Sequence, residues 1–159
     1  MIYYKDTNGK PFVFEDNVTD EIITKVEVTH NTTLAKITQS DYEDIIAPTF
    51  EQLQNKKLSE MEVAYNNANE LDIDYMSTTF QSDKKSQDLI TGILVGGAVP
   101  SGFTWRDKLN VDVAMTFSEF QGLSQALVTR GQFNWVKYQG LKTKISLATT
   151  QAELDVISW

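Results

Sequence analysis

The sequence predicts an α+β protein: a small N-terminal β unit followed by a module of two long helices with short β-hairpins. Three observations carry that expectation. Asn8-Gly9 stands between two aromatic-rich runs near the start, and this dipeptide tolerates the positive φ of a tight hairpin turn. Apolar side chains recur at three-to-four-residue spacing through two long stretches, roughly 50–71 and 117–148, the period of a helix with one buried face. Each stretch opens on a capping box, Thr49-Phe50-Glu51-Gln52 and Thr116-Phe117-Ser118-Glu119, in which the threonine hydroxyl and the later acidic or amide side chain satisfy each other's backbone N–H groups.

The elements follow in order. Ile2-Tyr3-Tyr4-Lys5 and Pro11-Phe12-Val13-Phe14-Glu15 form the first hairpin. Ile22 to Val28 sets Ile22, Thr24, Val26 and Val28 against Ile23, Lys25 and Glu27, an alternation that reads as a half-buried strand. Thr33 to Thr38 reads as another strand, so the first unit is expected to be mostly β. Ser40-Asp41-Tyr42-Glu43 reads as the capping box of a short helix through Ile46, stopped by Pro48. The unit boundary falls here, giving 1–47 and 48–159. The first long helix carries Phe50, Leu53, Met61, Ala64, Tyr65, Ala68 and Leu71 on one side, and Asn66, Asn67 and Asn69 weaken its end.

Asp72 to Phe80 is expected to turn and run extended, anchored by Tyr75 and Phe80. Ser82-Asp83-Lys84-Lys85 opens a helix that Gly96-Gly97 ends. Phe103 to Arg106 and Val111 to Met115 form a second hairpin around Asp107-Lys108-Leu109-Asn110. The longest helix runs to about Leu147, with Phe120, Leu123, Leu127, Trp135, Tyr138, Leu141, Ile145 and Ala148 near one stripe. Gly122, Gly131 and Gly140 interrupt it at up to ~1 kcal/mol each; close approach of a neighbouring helix at Gly131, or a kink there, gives such a glycine a reason. Thr150-Gln151-Ala152-Glu153 caps a last turn with Leu154, Ile157 and Trp159.

Composition excludes several classes. The 159 residues are 41% hydrophobic and 23% charged, the balance of a folded globular chain rather than a disordered one. With no cysteine and one histidine, disulfides, thiol catalysis and multi-histidine metal sites are out. No apolar run approaches the ~20 residues that cross a bilayer. Met1-Ile2-Tyr3-Tyr4-Lys5-Asp6 does not look like a secretory signal. Residues 1–80 carry 6 basic and 15 acidic side chains, a net of −9, and residues 81–159 carry 8 and 7, a net of +1. An acidic half repels phosphate backbones and the other half has no basic stripe, so no nucleic-acid partner is expected.

His30 has no nucleophile motif beside it and reads as a turn residue. Asp72 and Asp74 alternate as calcium ligands do, but the glycine and the bidentate glutamate of such a loop are missing. Asp41, Glu43 and Asp44 are better explained by helix capping and the macrodipole. Gly92, Gly96-Gly97 and Gly102 lack a following Gly-Lys-Ser/Thr and read as helix termination. Asn17-Val18-Thr19 and Asn31-Thr32-Thr33 match the glycosylation pattern by chance. No cofactor, metal or catalytic residue is expected. A hydrolase acting on host glycans would have only Asp72, Asp74 and Glu43 to work with. The aromatic side chains Tyr3, Tyr4, Phe12 and Phe14 are the candidate partner-binding residues. A short hairpin has two faces and a small unit covers one well; Tyr3 and Phe12 are expected inward, leaving Tyr4 for a partner.

Ile37-Thr38-Gln39-Ser40-Asp41-Tyr42-Glu43-Asp44-Ile45-Ile46 resembles a stretch near the front of phage tail-fibre assembly proteins, and Phe50 to Glu60, continued by Ala64-Tyr65-Asn66-Asn67-Ala68, is similar to a helix of tail accessory proteins. The part from about 73 to 159 resembles the phage-tail domain DUF4376. Its marks are Tyr75 and Phe80 before Ser82-Asp83, then Ser86 to Gly92, Phe117 to Leu127, Tyr138 to Ile145 and the ending Ala148 to Trp159. The resemblance implies a tail-fibre assembly chaperone that binds the tip region of a fibre polypeptide and promotes its folding and trimerisation, or alternatively a structural virion component such as an adhesin tip or baseplate part. It implies no enzyme activity. The implied partner is a trimeric tail-fibre protein, with self-association a further expectation, and no membrane partner. The implied place is the host bacterial cytoplasm during assembly, or the virion tail.

Overall fold

The computed structural model describes residues 1–159, which divide into two units, Met1–Thr49 and Phe50–Trp159. In the first unit, β1 (Ile2–Lys5) pairs antiparallel with β2 (Pro11–Phe14), as the Asn-Gly signal predicts. Gly9 takes φ +82° in the turn, and the Asp6 carboxylate accepts the N–H groups of Asn8 and Lys10, both at 2.8 Å. After α1 (Asp20–His30), β3 (Ala35–Ile37) adds to the other edge of β1, giving the order β2-β1-β3. Helix α2 (Gln39–Ile46) follows.

The stretch expected as a strand at Ile22–Val28 is a helix, and the unit is therefore not mostly β. Its β-branched residues suit strands, yet Ile23, Val26 and Glu27, the half-buried side chains, are spaced as a helix face, and Val28 is 77% exposed. The ends decide the matter. Asp20 and Glu21 favour the positive end of the macrodipole. Asn31 adopts the left-handed conformation, with its N–H to the Val28 carbonyl and the Thr32 N–H to the Glu27 carbonyl, a Schellman stop. The capping box of α2 also begins earlier than the sequence suggested. Thr38 is the N-cap and Asp41 its partner, because Thr38 follows strand β3 directly and already has extended dihedrals.

In the second unit, α3 (Phe50–Glu70) and α5 (Phe117–Leu147) run antiparallel: Gln54 Nε2 donates to the Ile145 carbonyl at 3.0 Å and Asn134 Nδ2 to Asn69 Oδ1 at 2.9 Å. Between them lie hairpin β4 (Ile73–Tyr75) and β5 (Thr78–Phe80), helix α4 (Lys84–Gly96), and hairpin β6 (Thr104–Arg106) and β7 (Asp112–Ala114). Helix α6 (Gln151–Asp155) closes the chain. The expected caps form at Thr116 and Thr150, Asp83 caps α4, and Gly97 ends that helix at φ +72°.

Two apolar clusters hold this unit. Met61, Leu141, Ile145, Ala148, Leu154 and Ile157 pack α3, α5 and α6 together. Phe80, Ile90, Trp105, Met115, Phe120 and Leu123 pack both hairpins and α4 onto the start of α5. Gly122 rather than Gly131 marks a close approach: the Tyr75 hydroxyl stands 2.0 Å from where a Gly122 Cβ would be, whereas Gly131 and Gly140 have open space there.

Candidate functional site

The strand register fixes what the hairpin aromatics face. Tyr3 lies opposite Val13 and Tyr4 opposite Phe12, with Phe14 opposite Ile2. Side chains alternate along a strand, so Tyr4, Phe12 and Phe14 share one face and Tyr3 takes the other. The expectation that Tyr3 and Phe12 turn inward together is thereby corrected: they pair one position out of register, and a one-residue offset reverses the face. The Tyr3 ring lies 4.8 Å from Tyr42 of α2. Phe12 meets His30 at the end of α1 at 5.7 Å, and Tyr4 meets Phe14 edge-on at 5.6 Å. All four rings are half-buried. Leu34, 8% exposed, is the one buried hydrophobic residue of the unit, held in place where Glu27 Oε1 accepts its N–H at 2.6 Å. Strands β2 and β3 both present an unpaired edge.

A second apolar surface lies on the outer side of α5. Phe133 is 70% and Trp135 54% exposed, two positions and about 160° apart on the two flanks of that side, with Val136 exposed between them and Val128 exposed two turns before Trp135. Trp135 is therefore not in the buried stripe where its spacing predicts it. The buried position of that turn belongs to Asn134, 7% exposed, one residue and about 100° round the helix.

Asn134 belongs to a polar layer between the two apolar clusters, which sequence reasoning missed. Helix α3 has no glycine and no basic residue at its end, so its last carbonyls need donors from elsewhere. Arg130 supplies them from α5, donating to the Asn69 and Leu71 carbonyls and, at 3.0 Å, to Ser82 Oγ. Gln87 of α4 donates to the Asn69 and Ser82 carbonyls, both at 2.7 Å, and Ser82 Oγ donates to Leu71. The cation sits at the negative end of the α3 macrodipole. Burial lowers the pKa of its guanidinium, and its Nε is buried without a partner. The signal was present: Arg130 and Asn134 fall on the same three-to-four spacing as Leu123, Leu127, Tyr138 and Leu141.

The candidate carboxylates are each engaged locally. Asp72 accepts from Lys108 Nζ at 2.9 Å, and this bond and charge raise the lysine pKa. Asp74 accepts from Thr79 Oγ1 at 2.5 Å. Glu43 accepts from Gln39 Nε2 at 2.7 Å. Asp41 accepts the Thr38 hydroxyl and N–H, which lower its pKa. No group of three or more His, Asp or Glu side chains is arranged to hold a metal ion, and no helix is long and apolar enough to cross a membrane.

No curated protein and no solved structure matches the chain. A family model does, over the second unit and most of the chain. The match spans residues 52–158, from the first turn of α3 to the residue before Trp159. The chain therefore belongs to the family described as Domain of unknown function (DUF4376).

Proposed function

We propose that this protein is a phage tail-fibre assembly chaperone, which binds the tip region of a fibre polypeptide and promotes its folding and trimerisation. The observation that carries the reading is the outer face of α5, where Phe133, Trp135, Val128 and Val136 stand in solvent without a partner. Exposed apolar side chains gathered on the outer half of one helix offer surface for an interaction, and aromatic residues dominate binding energy where they are buried. The half-buried Tyr3, Tyr4, Phe12 and Phe14 and the open edge of β2 supply a second contact region in the first unit. Such surfaces mask apolar patches and unpaired strand edges on a chain that has not yet trimerised. Two aromatic side chains that bury about 150–250 Å2 each make a small interface. A small interface suits a helper that leaves when the fibre closes. Binding needs no bond-making group, and the reading assigns none.

The test is co-expression with a phage tail-fibre polypeptide. Soluble trimer should rise when the chain is present and fall back with a Phe133→Ser, Trp135→Gln variant. Equal yield and equal trimer content with and without the chain would end the proposal. Recovery of the chain in purified particles at fixed stoichiometry would make it a virion component instead.

A further inference from the structure

The two hairpins of the second unit meet at one corner. Phe80, at the end of β5, bridges Asp107 in the antiparallel sense, and the Lys108 N–H donates to the Thr79 carbonyl at 2.8 Å. Continued pairing in that register would set Gln81 against Arg106 and Asp83 against Thr104. The strands part instead. Strand β6 is paired with β7 alone, and an open groove of about 430 Å3 lies where the ladder would have continued, lined among others by Gln81, Asp83, Lys85, Leu89, Phe103 and Arg106. The Asp107 N–H turns to the Val111 carbonyl on the β7 side at 3.0 Å. By the alternation of an antiparallel ladder, the main-chain groups of Arg106 and Thr104 face away from β7; the Phe80–Asp107 bridge engages the Arg106 carbonyl with the Gln81 N–H and leaves the Arg106 N–H and the Thr104 groups toward the groove.

The charges around the groove are not equivalent. The Asp83 carboxylate is occupied as the cap of α4, accepting the Ser86 N–H at 3.1 Å and its hydroxyl at 3.0 Å. Arg106 pairs with Asp112 across the hairpin at 3.3 Å. Lys85 has no ion-pair partner. The groove thus offers the Lys85 ammonium, in no ion pair, beside the apolar surfaces of Leu89 and Phe103, along a strand edge where the Arg106 N–H and the Thr104 main-chain groups are unpaired. An unpaired edge of this kind accepts an added strand, with the backbone giving affinity and the side-chain walls giving selectivity.

We propose that this groove binds an extended segment of a partner protein, which adds to β6 as a strand on the side away from β7. Its carboxylate side chain meets Lys85 and an apolar one packs on Leu89 and Phe103. The proposal stands apart from the fibre reading, since it names the chemistry of the segment and not the protein that carries it.

The test is an NMR titration of the full isotope-labelled chain with an acetylated, amidated hexapeptide that alternates valine with aspartate. Amide shifts should move at Thr104–Arg106, Lys85 and Leu89 at millimolar peptide. The same peptide with lysine for aspartate should not move them. Lys85→Glu should weaken binding by about tenfold, the scale of one charge-assisted hydrogen bond. Thr104→Pro removes an outward N–H and should abolish binding while tryptophan fluorescence stays native; if it unfolds the hairpin, Lys85→Glu still decides. Three results would overturn the proposal: no localised shifts, equal shifts with the lysine peptide, or the same shifts on raising protein concentration alone, which would make a second copy the occupant.

Discussion

Arg130 and Gln87 share one acceptor, the Asn69 carbonyl at the end of α3, and that sharing has a measurable signature. Arg130→Met keeps the aliphatic bulk and removes three donated hydrogen bonds. Bonds from a charged donor contribute about 1.5–3 kcal/mol each when their loss strands a buried partner. Here it does not. The Asn69 carbonyl keeps Gln87 and the Leu71 carbonyl keeps Ser82. The variant also relieves the buried, unpartnered Nε. The expected loss is therefore about 2 kcal/mol, well under the sum of the bonds. Gln87→Met should cost about 2 kcal/mol, because the Asn69 carbonyl keeps Arg130 while the Ser82 carbonyl loses its side-chain donor. In the double variant the Asn69 carbonyl has neither donor, and stranding it adds about 1 kcal/mol beyond the sum of the single effects.

Urea unfolding followed by tryptophan fluorescence reads this directly, because Trp105, Trp135 and Trp159 all lie in the second unit. The midpoint should fall with unchanged slope. Arg130→Lys should recover less than half of the loss, since an ammonium cannot reach two carbonyls and a hydroxyl as a planar fork does. Additivity of the double variant to within about 0.5 kcal/mol would refute the shared-acceptor argument, and so would full recovery with lysine.

Further outcomes follow from the same geometry. Gly131→Ala and Gly140→Ala, with open space around the added methyl, should each stabilise by up to ~1 kcal/mol, whereas Gly122→Ala should destabilise by about 1–3 kcal/mol as the Tyr75 ring is pushed out; melting temperatures of the three variants separate these. Met76 and Ser77 turn the β4–β5 hairpin at φ 52° and 61°, so Met76→Asn with Ser77→Gly should raise stability by about 1 kcal/mol or more, read by urea midpoint. The capping carboxylates Asp41, Asp83, Glu119 and Glu153 all have lowered pKa values, in each case first from hydrogen bonds at the cap. A lowered folded-state pKa gives stability that is present above the ordinary carboxylate range of about 4 and is lost as pH falls through the folded value. Thermal unfolding at successive pH should show that acid loss, and Glu119→Gln with Glu153→Gln should flatten it. Phe133→Ser with Trp135→Gln should leave unfolding free energy within about 0.5 kcal/mol, and a larger loss would place these rings in intrachain packing.

The parts legible from sequence were those governed by local chemistry. Thr116, Thr150 and Asp83 announce their helices because a cap depends on residues three apart, and Gly97 announces an end because few other residues adopt positive φ cheaply. Asn8-Gly9 announces its turn for the same reason. Hairpin β4–β5 carried no such mark, since Met76 and Ser77 turn it at a positive φ that neither residue favours, between Tyr75 and Phe80, which pack into the core. Ile22–Val28 misled because β-branched residues weigh toward strands, while the deciding groups, Asn31 and Glu27, act at the edge of the segment and across to Leu34. In α5, apolarity alone chose Trp135 over Asn134. Spacing would have chosen Asn134, but only a partner such as Asn69, 65 positions away, makes a buried amide acceptable.

That last substitution of roles bears on function. An apolar α3–α5 interface could slide by a turn and still bury methyl groups; one crossed by Arg130, Asn134, Asn69, Gln87 and Ser82 has a single alignment in which every carbonyl finds its donor. The register of the second unit is thus fixed by hydrogen bonds, and its cohesion by Phe120, Leu123, Leu141 and Ile145, all buried. Neither requirement involves Phe133, Trp135, Val128 or Val136. On the proposed reading these side chains, which neither requirement uses, are where a partner would bury apolar surface, and the thirty-one-residue helix that carries them sets their spacing.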